Sequence, residues 1–320
     1  MAGKRILVTG GLGAVGAYLV KELRRRGNDV FVADVRHHGD PNYARCDVGE
    51  FHQVERLWTG GGWANGYTKG SRRFDVVYHL AAEFGRWNGE DYYETLWRSN
   101  AVGTKNLLRM QEREGFEAVY FSSSEVYGDY TGVMDEDVMD RVEIKQMNDY
   151  AMSKWVNEMQ VLNSAAQFGT KSVRVRLFNT YGPGEYYSPY RSVICLFVYR
   201  ILHDIPIDVY SGYKRTSTYI TDMAHTLSNI HERFKAGEVY NIGGDDFHTI
   251  EEVAEIVLRL TGKTAKRDEL VRVRGEEIMT TREKKVDCSK ARRDLDHRST
   301  VTLEDGIRET VAWMRKVYEV

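Results

Sequence analysis

Two short stretches carry residue types that can move protons together. Ser122-Ser123-Ser124-Glu125-Val126-Tyr127-Gly128 follows an apolar run, and Tyr150-Ala151-Met152-Ser153-Lys154 opens a helical pattern. Tyr150 and Lys154, at i and i+4, share one helix face. An ammonium beside a phenol lowers the phenol's pKa. A tyrosinate near neutral pH could then take the proton of an alcohol as its hydride departs. A serine hydroxyl from the first stretch could bond the same oxygen. Glu125 adds a carboxylate. It would serve as a second base if desolvation raised its pKa toward neutrality, or would only bond a neighbouring backbone group or a substrate hydroxyl. A Tyr-x-x-x-Lys pair alone is common on surfaces, so its meaning depends on a hydride acceptor.

The start of the chain supplies one. Ile6-Leu7-Val8 is a short apolar run of the kind that forms a buried parallel strand. It leads through Gly10, Gly13 and Gly16 into a helix pattern whose apolar face holds Val15, Leu19, Val20 and Leu23. Glycines at this spacing allow a tight turn and close approach of the backbone to a pyrophosphate. The anion would rest on the helix N-terminus, at Ala14 and Val15. A second strand, Val30 to Ala33, ends at Asp34, where an acidic residue is expected to hold a ribose 2′-hydroxyl. Asp34 would repel a 2′-phosphate, which favours NAD; nearby Arg36 weakens that preference.

Length and charge narrow the field. The chain has 320 residues and a net charge of -2, which permits a large core and offers no basic field for nucleic acid. The cluster Arg24-Arg25-Arg26 falls where a helix end would be complemented by cations. The 3 cysteines, Cys46, Cys195 and Cys288, show neither a disulfide framework nor zinc spacing. No apolar run is long enough to span a membrane, and a strand begins too early to leave room for a signal peptide. The expectation is a soluble cytoplasmic protein with no metal.

Strand and helix patterns alternate onward. Asp47, beside Val48, could reach an adenine amino group or cap the next helix. Thr59 to Gly70 reads as an inserted surface loop. Phe74 to Ala82 is a strand whose small end, Leu80-Ala81-Ala82, would let a cofactor lie across the strand tips. The loop Glu83 to Asn88, with Arg86, borders the same rim. Glu90 to Glu114 reads as one long helix, and the internal Asn100 and Gly103 call for a packing or binding reason. After Tyr150, Val173 to Phe178 and Val239 to Gly244 read as strands. Thr249 and Glu252 form a capping-box pattern.

Together these motifs resemble an extended short-chain dehydrogenase/reductase of the nucleotide-sugar epimerase/dehydratase family, over nearly the whole length. The resemblance implies an α/β fold: a doubly wound, parallel Rossmann sheet with helices on both faces, plus a smaller discontinuous C-terminal α/β domain. The divisions expected are 1–184 with 217–248 for NAD, and 185–216 with 249–320 for a nucleotide-diphosphate sugar. Tyr150 would be the catalytic acid/base, Lys154 would bind the nicotinamide ribose, and Ser123 would be the active-site hydroxyl. Asp34, Asp47 and Val48 would meet the adenosine, and Asn100 would buttress the site. Asn179, in Asn179-Thr180-Tyr181-Gly182-Pro183-Gly184, matches a sugar-nucleotide ligand. Arg215 and Arg274 match arginines that meet the diphosphate or nucleoside. A homodimer through the helices near 90–114 and 150–168 is also implied.

Members of such a family first oxidise the sugar, usually at C4, and then diverge. Glu125 separates the outcomes. Ser/Thr-x-Glu before Val-Tyr-Gly resembles the 4,6-dehydratases, where the carboxylate is the C5 base, and the uronate decarboxylases. Simple 4-epimerases commonly carry a small neutral residue there. Ser124 stands where many dehydratases place an aspartic acid to expel the C6 hydroxyl. An anionic uronate would need a cation near C6, for which Arg86 and Arg191 are candidates by loop position, and Glu83 and Ser124 lie at the same rim. A dehydratase or decarboxylase is the main expectation; a 4-epimerase and a catalytically idle NAD-bound scaffold are the alternatives.

Overall fold

The computed structural model describes residues 3–59 and 72–320, so most of the insertion expected at 59–70 lies outside the described residues. The chain opens with β1 (Arg5–Thr9), α1 (Ala14–Arg25), β2 (Asp29–Asp34), β3 (Tyr43–Arg45), α2 (Phe51–Thr59) and β4 (Val76–His79). Side chains alternate across a strand, and β1 uses this on both faces. Ile6 and Val8 pack with Leu19, Val20 and Leu23 of α1. Leu7 packs on the other side with Val54, Leu57 and Trp58 of α2. All three β1 residues are fully buried, as a strand covered by helices on both faces requires.

The expected helix over 90–114 is replaced by a broken series. It begins earlier, with α3 (Arg86–Asp91) and α4 (Tyr93–Trp97), passes through a π-helical segment at Arg98–Val102, and continues as α5 (Gly103–Glu114). The break has a local cause. Asn100 lies in the π segment, where Oδ1 accepts the Glu83 N–H at 2.8 Å and Nδ2 donates to the Glu83 carbonyl and to Ser153 Oγ. Gly103 sits where an added Cβ would come within 2.7 Å of Val48 Cγ2.

The order continues as β5 (Glu117–Ser123), a 3₁₀ turn at Ser124–Tyr127, β6 (Val133–Met134), α6 (Val138–Arg141), α7 (Asp149–Phe168), β7 (Ser172–Leu177), β8 (Thr180–Tyr181) and α8 (Val193–Leu202). Then come β9 (Ile207–Tyr210), β10 (Lys214–Thr216), β11 (Thr218–Tyr219), α9 (Ile220–Asn229), β12 (Val239–Ile242), β13 (Phe247–Thr249) and α10 (Ile250–Thr261). The chain closes with α11 (Arg267–Leu270), β14 (Val271–Arg274), β15 (Glu283–Val286), α12 (Ser289–Leu295) and α13 (Leu303–Tyr318).

The main sheet has 7 strands in the order β12-β7-β5-β4-β1-β2-β3, all parallel. The order reverses direction between β1 and β4, which is where ligands enter such sheets. A second sheet, β13-β10-β15-β6, lies beyond the β5 tip. Apolar faces of α8, α10 and α13 build another core from Phe197, Val198, Val253, Val257, Ile307 and Val311. The capping box expected at the start of α10 is formed: Thr249 Oγ1 accepts the Glu252 N–H and Glu252 Oε2 accepts the Thr249 N–H.

One buried polar network pins the strand tips. Arg176 on β7 grips Glu158 on α7 with two bonds of 2.9 Å, and both side chains are almost fully buried. Glu158 also accepts from Ser122 Oγ at 2.5 Å and from Arg174 at 3.1 Å. Arg176 reaches on to the Tyr127 hydroxyl and the Glu136 carbonyl. Removing one partner strands the other charge. Glu158→Ala is therefore expected to lower unfolding free energy by about 3–5 kcal/mol in urea titration, whereas loss of the Thr249 cap in Thr249→Ala costs only about 1 kcal/mol.

Candidate active site

The carboxyl ends of the main-sheet strands open into a cleft of about 800 Å³. At one end lies the glycine turn. Gly10 has a left-handed φ of 69°, and a Cβ there would come within 2.7 Å of the Ala81 backbone nitrogen. A side chain at Gly16 would run into the Gly10 carbonyl. Gly10, Gly13, Ala14, Val15 and Gly16 border the cleft, and the missing glycine side chains leave backbone open to it there. The N-terminal N–H groups of α1 face the same space, as an anion requires.

Asp34 stands at the end of β2. Its Oδ2 accepts the Leu12 N–H at 3.0 Å, and its Oδ1 accepts from the Arg36 backbone at 3.1 Å and from Arg36 Nε at 3.3 Å. Asp34, Arg36, Asp47 and Val48 line this end, and Leu80, Ala81 and Ala82 line the strand tips opposite. Asp47 caps the following turn by accepting the Gly49 N–H at 2.9 Å, and it also pairs with Arg98. Asn100 does not border the cleft; it acts through Glu83, which does. This cradle of missing side chains, helix N-terminus and a carboxylate at the end of β2 fits a dinucleotide.

The chemical groups meet at the β5 tip. Asn148 caps α7 by accepting the Ala151 N–H, which sets Tyr150 and Lys154 in the first turn and a half. Lys154 Nζ donates to the Phe121 carbonyl at 3.0 Å and lies 5.8 Å from the Tyr150 ring centre. Burial brings Lys154 down to about 8. The sequence-based expectation of a lowered Tyr150 pKa is corrected for the protein groups alone. Burial pushes the phenol up to about 12, against a smaller lowering by the Ser123 hydroxyl. Ser123 Oγ also accepts the Glu125 N–H at 3.2 Å, so it starts the 3₁₀ turn that presents Ser124 and Glu125.

Glu125 is the main correction. Desolvation does act to raise its pKa, but Lys284, Arg86 and Arg215 together outweigh it and hold the carboxyl at about 2. Lys284 Nζ donates directly to Glu125 Oε1, and only 2% of the lysine side chain is exposed. Arg86 sits on Glu277 at 2.6 Å and donates to the Ile278 carbonyl. Arg215 donates to Thr280 Oγ1 at 3.2 Å and to two backbone carbonyls. Three cations thus surround two carboxylates, Glu125 and Glu277.

The remaining candidates divide. Asn179 borders the cleft at φ 35°, a region asparagine tolerates, and donates to the Thr216 carbonyl. Arg191 borders it too, with its guanidinium 4.1 Å from the Phe84 ring centre and Nε on the Tyr186 carbonyl. Arg274 is not among the residues that border the cleft; it is half exposed and pairs with Asp208 at 2.7 Å. Sequence reasoning missed Lys284 and Glu277. Lys284 contacts Glu125 across 159 residues, and its neighbours Glu283 and Lys285 make it look like part of a solvated charge run. Among the described residues, no group of His, Cys, Asp or Glu could hold a metal ion.

Comparison with known proteins agrees with this geometry. The sequence model of the NAD dependent epimerase/dehydratase family matches residues 6–243. A UDP-N-acetyl-alpha-D-glucosaminuronate decarboxylase of Bacillus cytotoxicus is 31% identical, with 98% of both chains covered. A dTDP-glucose 4,6-dehydratase of Neisseria meningitidis is 27% identical over 97% of this chain and 93% of its own. Among solved structures, an epimerase of Methanothermobacter thermautotrophicus superposes with a TM-score of 0.87 at 27% identity, covering 99% of this chain and 94% of the other. The strand order, the glycine turn, the Ser-Tyr-Lys set and these matches lead to one conclusion: the chain belongs to the NAD dependent epimerase/dehydratase family.

Proposed function

We propose that this chain decarboxylates a nucleotide-diphosphate uronate through transient oxidation at C4. The observation that carries the reading is the engagement of Glu125 by buried Lys284. A carboxyl held near 2 is too weak a base to remove the C5 proton for dehydration. Decarboxylation needs no such base. The surplus positive charge around Glu125 suits an anionic C6 carboxylate better than a neutral C6 hydroxyl. The decarboxylase relative, similar along its whole length, supports the same choice.

The bound dinucleotide would supply the reversible acceptor for the C4 hydride and a positive ring that lowers the Tyr150 pKa. Tyr150 takes the O4 proton while Ser123 bonds the same oxygen. The resulting ketone lies β to the C6 carboxylate, so the C5–C6 bond breaks with its electron pair moving toward O4. Hydrogen bonds from Tyr150 and Ser123 stabilise the enolate oxygen as its charge develops. After C5 regains a proton, Tyr150 returns its proton to O4 as the C4–H bond re-forms. Lys154 holds its ammonium beneath this exchange, anchored on the Phe121 carbonyl. Arg86, Arg215 and Arg191 border the same cleft and would meet the substrate's anionic groups.

Assembly as a homodimer belongs to the same reading. Val102, Met152 and Leu162 expose apolar surface on the π segment and α7. The cysteines are all free and buried, which fits a reducing, cytoplasmic setting. No helix among the described residues is long and apolar enough to cross a membrane.

Incubation with NAD and a panel of UDP-uronates, including the N-acetylglucosamine-derived one, beside UDP- and dTDP-hexoses should release carbon dioxide from a uronate only. Loss of water, or a new stereoisomer of unchanged mass, would overturn the reading. Tyr150→Phe should lower turnover by at least about 100-fold while nucleotide-sugar binding persists in calorimetry. Asp34→Ala should weaken NAD binding by roughly 10–100-fold, the worth of a charged hydrogen bond, and erase discrimination against NADP. A change below about threefold would remove Asp34 from the ribose site.

A further inference from the structure

Decarboxylation consumes a proton that Tyr150 does not provide. The phenol's proton comes from O4 and goes back to O4, whereas C5 must gain a new hydrogen when the carboxylate leaves. Among the groups that line the cleft with Glu125 are Arg86, Arg215, Glu277, Thr280 and Ser124, and a serine hydroxyl is too weak an acid to supply the proton by itself. Guanidinium groups do not release protons at ordinary pH. Glu277 is held by Arg86 at 2.6 Å. Thr280 Oγ1 is engaged by Arg215. Glu125 remains, with part of its side chain open to the cleft and the rest against Lys284. Lys284 does not border the cleft. It stands behind the carboxylate, buried and in direct hydrogen-bond contact with it.

We propose that Glu125 and Lys284 form a two-residue proton relay to C5 of the substrate, with Lys284 as the proton store and Glu125 as the group that delivers. The inference rests on the decarboxylase reading. The steps balance as follows. The C5–C6 bond breaks and carbon dioxide leaves, its electron pair forming the C4–C5 enolate. Lys284 Nζ first passes its proton to the Glu125 carboxylate; as the enolate then reverts to the C4 ketone, that new Glu125 O–H breaks and C5–H forms. Glu125 ends as a carboxylate and Lys284 as a neutral amine, which regains a proton from solvent when product departs.

The surroundings suit that duty. Burial, with Arg215 and Arg86 nearby, works against the ammonium, and the contact with Glu125 favours it. The balance puts Lys284 at about 8. It is charged at neutral pH, yet releases its proton more readily than an exposed lysine. Turnover should therefore fall as pH rises through about 8. Arginine in its place would keep the positive charge on Glu125 and remove the transferable proton.

Lys284→Arg tests this in NAD-loaded protein, using a UDP-uronate labelled with ¹³C at C6. Wild type should release labelled carbon dioxide and form the UDP-pentose together; no carbon dioxide from wild type would instead sink the decarboxylase reading. In Lys284→Arg, first-turnover carbon dioxide release should persist. Pentose formation should slow by about 100-fold or more, because the C4–C5 enolate must wait for a proton from solvent. Pentose formation within threefold of wild type overturns the relay. So does an equal slowing of carbon dioxide and pentose, which would give Lys284 only a charge-balancing role. Should Lys284→Arg not fold, Lys284→Ala with added ethylamine replaces it: recovery of pentose formation that rises with amine concentration supports the relay, and its absence overturns it.

Discussion

A buried ammonium needs a carboxylate, and Lys284 has Glu125. That requirement joins two parts of the molecule that are far apart in sequence. Lys284 belongs to β15 of the small sheet; Glu125 belongs to the turn at the tip of β5. Isolated charges in a protein interior are costly enough that removing one partner costs several kcal/mol. The pair therefore fixes where the small sheet sits against the strand tips, and it holds a carboxylate that borders the cleft in its ionised form. The proposed proton relay and the proposed preference for an anionic substrate both rest on that contact.

Beneath it lies a second buried pair with a different task. Arg176 and Glu158 hold β7 and α7 together, and through Ser122 and Tyr127 they grip both sides of the active turn. Residues on such a turn keep catalytic geometry only when their supports are rigid. Ser123, Ser124 and Glu125 are thus positioned from below by one ion pair and from the side by another. Tyr150 and Lys154 approach from α7, which also carries Glu158. One helix therefore bears Tyr150, its cationic neighbour and the anchor of the turn opposite.

Local signals made much of this readable in the sequence. Gly10, Gly13, Gly16 and Asp34 form a pattern of fixed spacing, and Tyr150 and Lys154 lie one helical turn apart; the capping box at Thr249 spans only three residues. Apolar runs and their alternation marked the parallel strands. Where tertiary contact decides, the reading failed. The helix expected over 90–114 breaks because Asn100 turns its side chain to the Glu83 backbone, a contact no periodicity reveals. Arg274 carries the right residue type near a matching motif, yet its strand turns it to Asp208. Lys284 lies in a charged segment that reads as solvated surface. Burial of its ammonium became visible only once β15 was placed beside β10 and β6. The ionisation of Glu125 depends on the same kind of contact: the sequence left open whether desolvation raises its pKa, and the cations that hold it down come from distant segments.

The central claim concerns the charge of Glu125, and infrared difference spectroscopy measures it most directly. Spectra of the NAD-loaded protein would be compared with Glu125→Gln across pH, with ¹³C-labelled glutamate to isolate the carboxyl bands. A buried carboxylate paired with Lys284 should stay ionised throughout the range from about pH 4 to pH 9, with no protonated-acid band assignable to residue 125. A Glu125 carboxyl that titrates near neutrality, as a C5 base would, would contradict the account and return the chain to the dehydratases.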